Sequence, residues 1–330
     1  MSPGSTSSSL LFVNYHYIRE PAQYQYPGIH PISLADFTAQ LDWLTDNFYV
    51  ATPEEAEAFV WRKEALPSDS VVLTFDDGLT DQYNIATGVL NPRNIKGVFF
   101  VTSRPLTDKH ANTLQKTHWL RATMGPHEFQ DRLLAALPSQ WQARLYDSKV
   151  RAAAEKIYVY DTPKIGRVKY LINFIVPESL MDELSSQMLV DQGVSEVDFC
   201  ATTYMSEENV RELHREGHKI GAHGHTHLPF TRIPDGDSTE ITSNISFLAS
   251  LTDIAPNWVS YPFGRDWAIP EDTKAFCQRH DFLIGLSLNI GWNTGAESPY
   301  LLNRVNTNDV AAVTAHKISR SGSQAVVSNS

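Results

Sequence analysis

Five apolar or β-branched residues, Val71-Val72-Leu73-Thr74-Phe75, run directly into two adjacent carboxylates and a glycine, Asp76-Asp77-Gly78. The run has the length and side-chain type of a fully buried strand, and Gly78 ends it where a side chain is easily strained. Both aspartates therefore stand at the C-terminal end of a strand, the edge on which α/β architectures gather their ligand-binding loops. Carboxylates this close repel by on the order of several kcal/mol at low dielectric. A metal, a proton or a cation must relieve that repulsion. Far downstream, Lys219-Ile220-Gly221-Ala222 leads in the same way into His223-Gly224-His225-Thr226-His227. His223 and His227 closing on one ion with one carboxylate of the pair make two nitrogens and one oxygen. That donor set leaves positions open for water and substrate, as catalytic rather than structural metal sites do.

Strand and helix patterns alternate in both flanking thirds. Leu10 to Tyr15 reads as a strand, Leu34 to Asn47 as an amphipathic helix capped by Ser33, and Pro53-Glu54-Glu55 opens a helix capped by Thr52. Asp81 to Leu90 reads as a helix and Gly97 to Val101 as a strand. The alternation resumes with a helix from Ser206 to His214, the strand Lys219 to Ala222, a helix near Glu240 to Leu251 and the strand Trp258 to Tyr261. A helix from Pro270 to Gln278 and the strand Phe282 to Leu288 complete it. The pattern calls for parallel β/α units, and periodicity alone does not separate a barrel from an open sheet.

Between about 104 and 200 the alternation stops. Helices are expected at Pro126 to Ala136, Gln140 to Lys156, Lys164 to Ile175 and Pro177 to Val190, too much for a plain loop. The segment is read as a helical insertion from the strand edge that carries Asp76, a lid or specificity subdomain, with a packing or oligomerisation element as the alternative. His118-Trp119-Leu120-Arg121 within it either reaches the cleft or packs into the insertion's core. The tail from Ser319 to Ser330 has the composition of a disordered segment.

Three motifs, TFDDG at 74–78, HGHTH at 223–227 and YPFG at 261–264, occur in the order found in the polysaccharide deacetylases with a NodB homology domain, which the chain resembles. Phe12-Val13-Asn14-Tyr15-His16-Tyr17, with Phe37, Gln40, Leu41 and Leu44, is similar to the first strand and helix of many members. The likeness covers roughly 1–103 and 200–308. It implies a distorted, incomplete (β/α) barrel over 1–318, interrupted by the insertion, and metal-dependent hydrolysis of the N-acetyl group of an amino sugar. It makes Asp76 the general base and Asp77, His223 and His227 the metal ligands. Zinc is the first choice of ion, and cobalt, nickel, manganese and iron suit the same donors.

Tyr261, Pro262, Phe263 and Gly264 are the oxyanion or substrate candidates. The chain departs from the family pattern at Ser260, where many members carry an arginine, and it has no clear late Leu-x-His. Arg265 and Arg304 are the candidate partners for Asp76, and His16 and His316 the candidate acids. The acid stays unassigned.

A net charge of −11 argues against nucleic acid or an anionic membrane as partner. No apolar run is long enough to span a bilayer. Met1 to Ser9 lacks the basic and apolar regions of a secretory signal, and Cys200 and Cys277 imply no disulfide, so a cytoplasmic location is expected. Neither G-x-x-x-x-G-K-[ST] nor G-x-G-x-x-G occurs, so no nucleotide or redox cofactor is called for. A soluble amino-sugar or glycan precursor is the expected substrate, and a homo-oligomer is left open. Two other function classes remain open: a metal-dependent amidohydrolase acting on a formamide or cyclic amide, and a non-catalytic carbohydrate-binding relative.

Overall fold

A computed structural model of the protein describes residues 8–26, 28–157, 162–234, 236–315 and 317; His316 and the tail from Ser319 lie outside the described residues. The chain divides into two compact units. One comprises the chain up to Glu20, Pro31–Asp108 and the chain from Ala201 onward; the other comprises Pro21–His30 and Lys109–Cys200. No helix among the described residues is long and apolar enough to cross a membrane.

The first unit is built on a parallel sheet. Its strands are β1 (Leu10–Tyr15), β2 (Tyr49–Val50), β3 (Ser70–Asp77), β4 (Val98–Val101), β5 (Lys219–Ala222), β6 (Trp258–Ser260), β7 (Ile284–Leu286) and β8 (Arg304–Asn306). They run in the order β7-β6-β5-β4-β3-β1-β8, with β2 paired to the start of β3. The two ends of this path meet just before β8. There Leu302 bridges Leu286, donating to the Gly285 carbonyl at 2.9 Å and accepting from the Ser287 N–H at 3.0 Å. The result is a nearly closed (β/α) barrel.

Strand alternation sorts the side chains into two layers. Leu11, Val13 and Tyr15 of β1, Val71, Leu73 and Phe75 of β3 and Phe99 of β4 pack with Phe37, Leu41 and Leu44 of the helix Leu34–Asn47. Phe75 stacks on Phe99 at 4.6 Å and on Tyr15 at 5.4 Å. The intervening positions, Leu10, Phe12, Val72, Val98, Phe100, Trp258, Ile284, Leu286 and Leu302, form the inner core. The same inward register reaches Asn14 and Ser260 one step beyond Phe12 and Trp258, Asp76 two steps beyond Val72, and Arg304 one step beyond Leu302, all buried. The period of two thus carries an apolar plug into a polar layer of Asn14, Asp76 and Ser260 near the C-terminal ends of β1, β3 and β6, which the Arg304 side chain joins from the start of β8.

Helix caps agree with the sequence reading. The Ser33 hydroxyl accepts from the Asp36 N–H, and Thr52 and Glu55 form a reciprocal capping box. Elsewhere side chains shift the expected boundaries. The helix expected from Pro270 starts at Thr273, because the Asp272 carboxylate accepts from the Ala275 N–H at 2.9 Å. The helix expected over Gln140 to Lys156 divides into Ser139–Ala143 and Ser148–Ile157. Asp147 is extended there and its carboxylate accepts from the Lys149 N–H at 2.8 Å.

The second unit is helical, with Thr113–Met124, Pro126–Ala136, Glu178–Asp191 and the shorter helices between them. The helix Thr113–Met124 was not foreseen; its Trp119 packs edge-on against Phe199 at 5.9 Å, so that motif serves the unit's interior. Residues Pro21–His30 join this unit through the Tyr26 N–H, which donates to the Ala122 carbonyl. At Gly28 a Cβ would lie 2.3 Å from the Ala122 nitrogen, which excludes any side chain.

Lys116 is fully buried, its ammonium donating to Asp182 at 2.6 Å, Ser186 at 2.7 Å and Glu196 at 3.0 Å. Removing the cation leaves two partly exposed carboxylates, Asp182 and Glu196, facing each other without their shared partner. Lys116→Met is expected to lower the melting temperature by several degrees, and an unchanged thermal transition would show that the node contributes nothing.

Candidate active site

β3 ends on Asp76 and Asp77, and the backbone leaves strand geometry there: φ is +83° at Asp77 and +72° at Gly78. A Cβ on Gly78 would sit 2.9 Å from Val101 Cγ1, so both the turn and the packing require glycine. A left-handed aspartate is uncommon, and it is held here by a strand paired on both sides. Its carboxylate Oδ1 lies 3.5 Å from His223 Nε2 and 3.3 Å from His227 Nε2. All three side chains are buried, and one donor atom from each lies within 4.8 Å of the others.

His223 follows β5 directly, and its Nδ1 is 2.8 Å from the Ser260 carbonyl. A carbonyl only accepts, so Nδ1 carries the proton and Nε2 presents its lone pair toward Asp77. His227, at φ +64°, closes the loop from the other side. Glu240 clamps that loop, accepting from the Thr226 N–H at 2.8 Å and from the Thr226 hydroxyl at 2.9 Å, while its carbonyl accepts from the His225 N–H. Asn244, one turn on, accepts from the His223 N–H at 3.1 Å and donates to the Val101 carbonyl at 2.9 Å. Sequence reading missed both residues. The available signal was a pair of polar side chains at i, i+4 on the face of Thr239–Thr252 that also buries Ile241, Leu248 and Leu251.

The donor set fits a divalent ion. Two ligands bonded at about 2.0–2.1 Å and subtending a tetrahedral angle stand about 3.3–3.4 Å apart, close to both Asp77–histidine separations. Burial lowers the His227 pKa to about 4, outweighing the Asp77 charge. Burial acts the same way on His223, but Asp76, Asp77 and the Ser260 carbonyl outweigh it and the pKa is raised. Asp77 is buried, which alone would raise its pKa, yet the two imidazoles hold the carboxyl well below the usual carboxylate range.

Asp76 is gripped by Arg304. The guanidinium donates to both carboxylate oxygens at 2.8 Å, to the Ser260 hydroxyl at 2.8 Å, and through Nε to the Ser287 carbonyl at 3.1 Å. Ser260 in turn donates to Asp76 at 3.0 Å, and Asn14 donates at 3.3 Å. Burial opposes ionisation of Asp76, but Arg304 together with the neighbouring histidines overcomes it and the pKa is lowered. Of the two arginine candidates, Arg304 from the first residue of β8 is the partner. Arg265 is exposed and donates to the Leu288 carbonyl instead. Ser260, at the position where an arginine was sought, links Arg304 to Asp76.

The segment Tyr261-Pro262-Phe263-Gly264 is a turn closed by the Gly264 N–H on the Tyr261 carbonyl at 2.9 Å, with Phe263 at φ +65°. The Tyr261 side chain is buried, and its hydroxyl donates to the Tyr300 carbonyl at 2.7 Å. The Tyr261 N–H is used by the Leu286 carbonyl, Pro262 has none, and the Gly264 N–H closes the turn. His16 follows β1 and is partly exposed, and its charge acts on Asp76, Asp77 and His227. His225 points away from the ligand group, with Nδ1 2.9 Å from the Ser103 hydroxyl and Nε2 3.5 Å from Asp108.

The sequence profile of the polysaccharide deacetylases matches residues 63–165 and 183–282, more than half of the chain. The chain belongs to the polysaccharide deacetylase family. Both β3 with its aspartate pair and the histidine segment lie inside the matched stretches. Among family relatives, the Bacillus subtilis (strain 168) protein YxkH, whose name gives it as a polysaccharide deacetylase, is 31% identical over 119 residues, 34% of this chain and 43% of YxkH. The matched stretch thus spans less than half the length of that relative.

Solved structures share the deacetylase fold at low identity. IcaB from Ammonifex degensii superposes with a TM-score of 0.55 at 16% identity, covering 92% of this chain and 94% of IcaB. The Streptococcus pyogenes deacetylase PplD, solved in complex with acetate, gives 0.55 at 17% identity, covering 91% and 93%.

Proposed function

We propose that this protein is a metal-dependent deacetylase that hydrolyses the N-acetyl group of an amino sugar in a glycan. The observation that carries the reading is the pairing of an Asp77–His223–His227 donor group with an ionised carboxylate, Asp76, held next to it by a bidentate arginine. Family membership and the acetate held by PplD support the reaction class. Asp77, His223 and His227 would hold the ion, with zinc the first candidate; when bound it supplies Lewis acidity toward the amide carbonyl and acidifies water.

The chain's own residues do the rest. Asp76, fixed by Arg304, Ser260 and Asn14, accepts the proton of the attacking water as the C–O bond forms. The Phe263 N–H, which closes no hydrogen bond of the turn, takes the role of oxyanion donor in this reading. The C–N bond then breaks, and the amine must leave protonated. His16, which follows β1 and is partly exposed, takes the role of acid.

The test is product analysis. Metal-loaded protein incubated with N-acetylglucosamine oligomers is expected to release acetate and free amine in equal amounts. Hydrolysis of formamides or cyclic amides with no acetate from any acetylated sugar would replace this reading with the amidohydrolase one.

A further inference from the structure

The ladder between β1 and β3 ends at the Tyr15–Phe75 pair. One residue further, where the next pair would stand, are His16 and Asp76, and both turn their carbonyls to a single side chain. The Gln82 amide nitrogen donates to the His16 carbonyl at 3.1 Å and to the Asp76 carbonyl at 2.5 Å, while its oxygen accepts from the Leu79 N–H at 3.2 Å. Carbonyls only accept and a backbone N–H only donates, so these partners fix which end of the amide is which. Gln82 is fully buried, and both of its amide protons are used.

Gln82 belongs to the short helix Thr80–Ile85, which begins directly after the aspartate turn. Its neighbour Asp81 holds the same segment after β1, accepting from the Ile18 N–H at 3.1 Å and from Arg19 Nη2 at 2.7 Å. The helix thus ties the chain leaving β1 to the chain leaving β3 at the level where the ladder has stopped. The Asp76 carbonyl shares a rigid peptide plane with the Asp77 N–H. Holding that carbonyl fixes the plane against which Asp77 rotates to φ +83°, the turn that brings its carboxylate to His223 and His227. A non-glycine residue keeps such a backbone only where its surroundings impose it.

We infer that Gln82 is a positioning residue for the aspartate pair. It stands in for the missing ladder pair, sets the Asp76–Asp77 peptide, and so makes the two carboxylates diverge, Asp76 to Arg304 and Asp77 to the histidines. It acts through the backbone. For turnover the inference rests on the deacetylase reading; for metal affinity it rests only on the Asp77–His223–His227 group.

The experiment uses the full chain as wild type, Gln82→Met and Gln82→Glu. Methionine fills much the same space without hydrogen bonds. Glutamate keeps the shape and the acceptor for Leu79 but brings no N–H to the two carbonyls. Its added negative charge would by itself strengthen cation binding, so a weaker affinity there reads the lost donors. Zinc affinity is measured by chelator competition, and kcat and KM by acetate release from the N-acetylglucosamine pentamer, all below the melting transition of each protein. Both variants are expected to bind zinc roughly 10- to 100-fold more weakly, the usual effect of losing a group that orients a metal ligand. kcat should fall by a similar factor with KM little changed, the pattern of a group that serves the transition state and not substrate binding.

Zinc affinity and kcat equal to wild type in either folded variant, whatever its melting curve, would reduce Gln82 to a packing residue and overturn the inference. Should Gln82→Met not fold, Gln82→Glu decides. Zinc affinity that depends on Gln82 while the wild type releases no acetate would leave the inference standing and remove the deacetylase reading.

Discussion

Asp76→Asn is expected to lower turnover by about 10²- to 10⁴-fold, the contribution of a positioned general base, with metal content close to that of wild type. The amide keeps the shape of the carboxylate and the hydrogen bonds from Ser260 and Asn14, but it accepts no proton. Asp77→Asn is expected to lose activity and metal together, because its Oδ1 faces both imidazoles. A drop of less than tenfold in Asp76→Asn, or two variants with the same metal content, would mean the neighbouring aspartates do not divide the work this way.

Arg304 makes that prediction sharper. With the guanidinium in place the folded-state pKa of Asp76 lies below its unfolded value of about 3.9, so the pair adds stability at neutral pH. That contribution is lost only as pH falls below about 4, through the lowered folded value. In Arg304→Met only burial and weaker partners remain, so the pKa climbs. The acid limb of the pH–rate profile should move to higher pH, and the protein should be destabilised by about 3–5 kcal/mol. An acid limb that stays in place would separate the base from Arg304.

Most of this site was legible because strand register is binary. Once Val71–Phe75 is a buried strand, Asp76 must share a face with Val72 and Thr74, and the same count of two takes Trp258 to Ser260 and Leu302 to Arg304. Arg304 could be named as a candidate, yet not chosen over Arg265. β8 has only three residues, too few to carry a period, and its partner β1 lies nearly the whole chain away.

The loop clamps Glu240 and Asn244 were missed for a related reason. A polar pair on a helix reads as a solvated face until tertiary packing shows the face to be buried. Asp147 was legible in principle, since an aspartate before Ser-Lys is a helix-start signal, and the single helix expected over Gln140 to Lys156 passes over it. The left-handed backbone at Asp77 and His227 has only a weak sequence signature, since aspartate and histidine are enriched there but still uncommon, and at Phe263 it has none, because a bulky residue avoids that conformation.

His223→Ala and His227→Ala are each expected to abolish stoichiometric metal binding, where the wild type should hold about one divalent ion per chain, zinc or one of its first-row neighbours. The two ligands differ in how protons compete with the ion. His223 has a raised pKa, so it takes up its proton at a higher pH than an ordinary histidine, whose value is about 6.5. His227, lowered to about 4, stays neutral until far more acid conditions. Binding requires both imidazoles deprotonated. The logarithm of the affinity should therefore fall with a slope near one proton per ion between about pH 6.5 and 4, and steepen toward two only below about pH 4. Competition titrations with a chromophoric chelator at stepped pH read that slope directly. A slope of two already at pH 6 would show that burial does not set His227 apart, and full metal occupancy in either alanine variant would remove that histidine from the ligand set.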